Sequence, residues 1–173
     1  MEKKGRIIIH TGNGKGKTTA ALGTVFRALG HGQKVCMIQF IKGQGKYGER
    51  LFAETIDNLD WYICGKGFVF NKEQIDEDKE VAEEGFALAA DRIASDCYDL
   101  VVLDELTYLP NLDFLPIEKI VETLKAKPKR LSIIITGRDA PTEFIELADT
   151  VSEIVVVKHA FQQGIKAQKG VEF

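Results

Sequence analysis

Ile7-Ile8-Ile9-His10-Thr11-Gly12-Asn13-Gly14-Lys15-Gly16-Lys17-Thr18-Thr19 is the stretch on which the fold is decided. The run from Arg6 to Thr11 is β-branched and apolar and is closed by glycines. Beyond it Leu22, Val25, Phe26 and Leu29 recur at helical spacing, until Gly30 and Gly32 stop the helix. A strand, a glycine-rich loop and a helix in that order let backbone N–H groups wrap an oxyanion, and the helix adds its positive end. Lys17 supplies a mobile cation and Thr18 a hydroxyl able to ligate Mg²⁺ bridging phosphates. The strict form of the loop has glycine where this sequence has Thr11. Gly12, Gly14 and Gly16, the flanking elements and Lys17-Thr18-Thr19 still favour a phosphate loop over a flexible turn.

Outward from the loop, strands and helices keep alternating. Lys34 to Ile41 is a second apolar run of strand length and Trp61 to Cys64 a short third. Ala82, Phe86, Ala89 and Ile93 mark a helix from about Asp76 to Ser95 with an acidic outer face, followed by a strand from Leu100 to Leu103. Ile117, Ile120, Val121 and Leu124 predict another helix. After it come a strand at Ser132 to Thr136, a short helix at Pro141 to Ala148 and a strand at Val151 to Val157. Continuous Val/Ile runs imply strands covered on both faces. The expectation is one α/β domain over residues 1–173, a mostly parallel sheet flanked by helices, P-loop NTPase-like and RecA-like. Gly43, Gly45 and Gly48 suggest a mobile substrate loop, and the aperiodic stretch from Gln162 to Phe173 a mobile terminus.

With 173 residues, 45% apolar and 28% charged, the chain has the make-up of an ordinary globular domain. Its net charge of −3 gives no long-range attraction to nucleic acid or to an anionic membrane. The basic cluster of Lys125, Lys127, Lys129 and Arg130 sits where a helix should end and offsets that helix's dipole. Cys36, Cys64 and Cys97 lack any Cys-x-x-Cys spacing, so neither a disulfide framework nor a zinc site is indicated. No apolar run approaches the ~18 residues of a membrane span, and Met1 leads directly into the first strand. A cytoplasmic location is expected.

Nucleotide chemistry also needs a carboxylate at the end of a neighbouring strand. Leu100-Val101-Val102-Leu103-Asp104-Glu105 supplies two, and Asp104 or Glu105 should reach the metal. In a hydrolytic ATPase Glu105 would act as the base that orients water. A non-catalytic ATP-binding regulatory module is a further reading, because loop and carboxylate by themselves stop at ATP binding.

Longer strings go further. Thr11 to Thr19, Gln39-Phe40-Ile41-Lys42-Gly43 with Gly48-Glu49, Val101 to Tyr108, Thr136-Gly137-Arg138, and Val157 to Phe161 leading to Gly164 to Gly170 together resemble the P-loop type of ATP:corrinoid adenosyltransferase, in order and over nearly the whole chain. The resemblance implies transfer of the 5′-deoxyadenosyl group of ATP to the cobalt of a reduced corrinoid, with release of triphosphate. It implies ATP held by Gly12, Asn13, Gly14, Lys15, Gly16, Lys17, Thr18 and Thr19, reversed relative to other P-loop proteins, with Arg27 as a further contact. Mg²⁺ would be held by Thr18 with Asp104 or Glu105, and Glu105 becomes a metal ligand in place of a base. Gly65-Lys66-Gly67-Phe68-Val69-Phe70 resembles the family's Gly-Phe-Thr-Trp stretch, whose two aromatics displace the lower axial ligand of the corrin. Phe70 stands for the usual Trp. The resemblance also implies a homodimer and a flavoprotein or other electron donor. Longer relatives carry an N-terminal extension that helps cover the corrinoid, so here a lid is expected to come from elsewhere or to be absent. His10 is read as supporting the loop, and His159 as structural or substrate-positioning.

Overall fold

Strands built on continuous apolar runs must be covered on both sides, and the chain achieves this with one sheet between two helical layers. The computed structural model describes residues 4–43, 45, 47–65, 67 and 75–172, the side chain of Ile75 excepted. The strands are β1 (Ile7–Thr11), β2 (Val35–Gln39), β3 (Leu59–Ile63), β4 (Leu100–Asp104), β5 (Ser132–Thr136) and β6 (Thr150–Glu153). They run parallel in the order β3-β2-β4-β5-β1-β6. The helices are α1 (Lys17–Gly30), α2 (Gly48–Ala53), α3 (Ile75–Ala94), α4 (Tyr108–Asn111), α5 (Ile117–Lys125) and α6 (Thr142–Leu147).

Parallel crossovers are right-handed, so the direction of travel along the sheet decides which face each helix covers. From β1 to β2 and on to β3 the chain moves one way, and Ala21, Val25, Ala28 and Ala53 of α1 and α2 pack with Val35, Met37, Val102 and Ile134. From β3 to β4, β5 and β6 it moves the other way. Phe86, Ile93, Ile120, Leu124 and Phe144 of α3, α5 and α6 then pack with Ile38, Val101, Leu103 and Ile133 on the opposite face. Successive strand residues alternate between the two cores. Where the direction reverses, the loop after β1 and the loop after β4 part to opposite faces. That leaves a crevice at the carboxyl edge of the sheet.

The sheet is wholly parallel where sequence reading expects mostly parallel, and three segments differ from expectation. The region around Gly48 is not an open loop. Gly48–Ala53 forms α2, with Glu49 in its first turn and an Arg50–Glu54 ion pair one turn apart. The last strand is shorter than the apolar run Val151 to Val157. β6 is an exposed edge strand, and after Glu153 the chain leaves the sheet so that Ile154 can bond the loop after β1. The third strand is Leu59–Ile63, beginning two residues before Trp61. No helix among the described residues is long and apolar enough to cross a membrane.

Two phenylalanines test the layering. Phe86 is 1% exposed and Phe26 74% exposed. Phe86→Ala is expected to cost about 3–5 kcal/mol in urea unfolding, and Phe26→Ala within about 0.5 kcal/mol of nothing. Similar losses at the two positions would contradict the arrangement of α1 and α3.

Candidate functional site

The loop between β1 and α1 is shaped by its glycines. Gly12 (φ 96°) and Gly16 (φ 119°) lie in the left-handed region, and a Cβ on Gly12 would stand 2.5 Å from the carbonyl oxygen of Ile154. The Gly14 N–H donates to that oxygen at 2.6 Å, while Ile154 N–H donates to Thr11 O at 2.8 Å. The chain after β6 therefore buttresses the loop from outside. The Lys17 ammonium folds back over the loop, donating to Gly12 O (2.8 Å) and Gly14 O (3.0 Å). Among the described residues no side chain caps the start of α1, so its first-turn N–H groups are available to an oxyanion.

The four inner strands each end on a polar residue, Thr11, Gln39, Asp104 and Thr136, and all four are buried. Asp104 is the centre of this row and is fully buried. Its Oδ1 accepts from Thr18 Oγ1 (2.9 Å) and Thr136 Oγ1 (2.7 Å), and its Oδ2 accepts from Gln39 Nε2 (2.9 Å), with Lys42 Nζ at 3.9 Å. Thr18, having given its proton to Asp104, keeps its oxygen lone pairs for a cation.

Glu105 is the opposite case. Its backbone is left-handed at φ 62° and is pinned there by its N–H donating to Thr136 Oγ1 at 2.9 Å. Its Oε2 is buried and has no hydrogen-bond partner among the described residues. Burial and then the neighbouring Asp104 push its carboxyl above the usual range, opposed by Lys17, Lys42 and Arg138. Burial likewise holds the Lys17 ammonium below the usual lysine range, opposed by Glu105. An orphaned carboxylate oxygen in the same cleft as a hydroxyl with free lone pairs is the kind of donor set a hard divalent cation takes. Among the described residues no three His, Cys, Asp or Glu side chains cluster into a metal cage.

These groups line a cleft of about 490 Å³, together with Asn13, Thr19, Leu22, Glu49 and Arg138. Its outer wall is His159 and the turn at 170–172, where Lys15 Nζ pairs with Glu172 at 3.2 Å and donates to Val171 O at 3.4 Å. The terminal segment, aperiodic in sequence, is thus tied to the phosphate loop. His159 Nδ1 accepts from Phe161 N–H at 3.1 Å, so a neutral His159 carries its proton on Nε2.

The structure brings Gly12 to Thr19, Asp104 and Glu105 together. Arg27 is exposed in the last turn of α1 and does not line the cleft, and neither does His10. Phe68 and Phe70 lie outside the described residues. The chain leading to them follows the end of β2, with Cys64 N–H donating to Gln39 O (2.8 Å) and Gly67 N–H to Ile41 O (3.1 Å). Sequence reading assigned no role to Gln39, Lys42, Glu49, Thr136 or Arg138. Gln39 and Thr136 end strands, Lys42 and Arg138 follow them closely, and Glu49 lies in the first turn of α2, so only the first four carry a strand-end signal.

A parallel six-stranded sheet with a glycine loop after its first strand and an Asp-Glu pair after its fourth defines an α/β protein of the P-loop NTPase class. Flagellar accessory protein FlaH from Methanocaldococcus jannaschii shares the fold, with a TM-score of 0.62 over 87% of this chain and 71% of that one at 11% identity. Sequence comparison goes further. The family model for ATP:corrinoid adenosyltransferase BtuR/CobO/CobP matches residues 3–173. The corrinoid adenosyltransferase of Escherichia coli (strain K12) is 44% identical over 100% of this chain and 88% of its own length. Corrinoid adenosyltransferase CobA of Salmonella typhimurium is 43% identical over the same shares. The chain belongs to the ATP:corrinoid adenosyltransferase family of enzymes.

Two measurements probe the cleft. Glu172→Gln should tighten binding of inorganic triphosphate about two- to fivefold in calorimetry, because Lys15 loses a competing anion, and the gain should shrink at high salt. Glu105 keeps its proton to a higher pH in the fold than in the open chain, whose ordinary value is 4.5. Above that value the fold binds more protons than the unfolded chain, so this group's contribution falls as pH rises through the folded pKa. Glu105→Gln should therefore raise the melting temperature at pH 8 and leave it unchanged near pH 4; a uniform effect at both would contradict the burial argument.

Proposed function

We propose that the protein transfers the 5′-deoxyadenosyl group of ATP to the cobalt of a reduced corrinoid and releases triphosphate. Within the family reading, one observation supports this most directly. Lys15, Lys17, Lys42, Arg138 and the first turn of α1 converge on the phosphate side of the cleft, where a triphosphate would be gripped as a unit. The cobalt(I) lone pair attacks C5′, the C5′–O5′ bond breaks, and its electron pair leaves on the triphosphate oxygen while cobalt becomes formally cobalt(III). Charge then develops on the phosphate chain, where loop amides and Lys17 stabilise it more in the transition state than in the ground state. Thr18 and Glu105 would hold Mg²⁺, which supplies further neutralisation of the leaving group. No water is activated, so Glu105 serves as ligand and not as base.

Phe68 and Phe70 are assigned to the lower face of the corrin, where expelling the axial ligand eases reduction of cobalt(II). The family reading further gives a homodimer and a flavoprotein or other electron donor, and a cytoplasmic setting is proposed beside it from the cysteines. Three free thiols, at Cys36, Cys64 and Cys97, suit a reducing compartment.

The products decide the reaction. Incubated anaerobically with ATP, Mg²⁺ and a pre-reduced corrinoid, the protein should yield triphosphate and a cobalt–carbon bond; ADP with phosphate would instead mean hydrolysis. Lys17→Ala should lower kcat/KM roughly a hundredfold or more. Phe68→Ala should impair turnover from cobalt(II) more than transfer from pre-reduced cobalt(I), and equal losses would remove the aromatic-plate role.

A further inference from the structure

Behind the cleft, out of contact with it, a hydrogen-bond chain leads from the edge of the sheet to the phosphate site. Trp61 on β3 packs half-buried on the α1 side of the sheet, and its indole Nε1–H donates to Gln39 Oε1 at 3.1 Å. Gln39, 1% exposed, donates from Nε2 to Asp104 Oδ2 at 2.9 Å. Strand register sets up the second link, because Gln39 is the direct partner of Asp104 across the β2–β4 ladder. Neither Trp61 nor Gln39 lines the cleft.

The chemistry of the three groups gives the chain a direction. A carboxamide presents an acceptor at one end and donors at the other, and nothing in its shape tells the two orientations apart. An indole N–H can only donate. By claiming Oε1, Trp61 turns the Gln39 amide so that its donors face Asp104. The reversed amide would set a carbonyl oxygen against a fully buried carboxylate, which is unfavourable in a low-dielectric site. Asp104, held at Oδ2 in this way, presents Oδ1 to the Thr18 hydroxyl at 2.9 Å. The Thr18 proton is thereby committed inward and its lone pairs outward.

We infer that Trp61 is a positioning residue for the phosphate site, acting through Gln39 and Asp104 on the orientation of Thr18. This rests on the reading of the cleft as a triphosphate site. Trp61 is the sole tryptophan of the chain, so ¹⁵N-labelled protein shows one indole N–H resonance, and that resonance reports the first link.

The probe is inorganic triphosphate with Mg²⁺, followed in parallel by calorimetry and by the indole resonance. The wild-type resonance should shift as the site fills. In Gln39→Met, close to isosteric, it should sit where an unpaired indole does and stay there while ligand still binds. Trp61→Phe keeps an aromatic ring of smaller size and removes the indole N–H; it should weaken Mg-triphosphate binding about three- to tenfold. Gln39→Met should do the same, and the double variant should lose no more than either alone. Folding of each variant is checked by its melting temperature. A motionless wild-type indole alongside a normal binding isotherm overturns the relay and leaves the triphosphate site intact, as does undiminished affinity in Trp61→Phe. No binding heat in the wild type overturns the triphosphate site itself, and the relay with it.

Discussion

A carboxylate with no exposure to water is the constraint around which the carboxyl edge of this sheet is organised. Removing such a charge from solvent costs several kcal/mol unless donors replace the lost hydration. Asp104 meets four, Thr18 from α1, Gln39 from β2, Thr136 from β5 and, more distantly, Lys42 from the loop after β2. Each donor is correctly placed only if its own element is. Loss of one donor leaves the others to solvate a buried charge, so the start of α1 and the registers of β2, β4 and β5 are bound to one another through a single side chain. The site is therefore a by-product of satisfying Asp104 as much as a set of residues placed one at a time.

Glu105, the next residue, shows how adjacent carboxylates are given different work by their surroundings. Asp104 follows the strand's alternation and points to the α1 side, into its donors. Glu105 breaks out of the strand with a left-handed backbone, which costs conformational energy and is held by the bond to Thr136. The same Thr136 oxygen that donates to Asp104 accepts from the Glu105 N–H. One hydroxyl thus touches the Asp104 carboxylate and the Glu105 backbone, leaving Asp104 with both oxygens engaged and Glu105, among the described residues, with an oxygen unclaimed. A saturated acceptor is a poor primary ligand, whereas an unclaimed one facing Lys17, Lys42 and Arg138 is ready for a cation brought in on phosphate.

Much of this was legible in the residues. The run Ile7 to Thr11, the glycines after it and the helical spacing from Leu22 to Leu29 carry strand, loop and helix through local physics alone, and so does the apolar run ending at Asp104. Sequence patterns do not report which strands are neighbours. Gln39 and Thr136 look like ordinary strand ends until the order β2-β4-β5 puts them on either side of Asp104. The helix Gly48–Ala53 was hidden because its glycine opens it, and glycine reads as a breaker. The edge strand β6 is shorter than its apolar run: Val155, Val156 and Val157 look like strand residues, yet β1 ends at Thr11 and the described ladder stops at Glu153, with Ile154 turning to the loop. The bond from Lys15 to Glu172 joins residues at opposite ends of the chain, and no periodicity announces such a contact.

That last contact bears on how the cleft discriminates. Glu172 is held as a carboxylate by the Gln168 N–H at 2.7 Å and by Lys15, both of which keep its pKa below the usual range. It sits as a fixed negative charge at the mouth of a site lined with cations. An anion entering the cleft must offer Lys15 more than a single carboxylate does, and a triphosphate with its spread of charge does so where a monophosphate gains little. The buried end of the site, with Lys17 and Thr18, would bind either. On the proposed triphosphate reading, preference for a long phosphate chain would be set at the rim, by a residue far from the loop in sequence, and the strength of the grip inside.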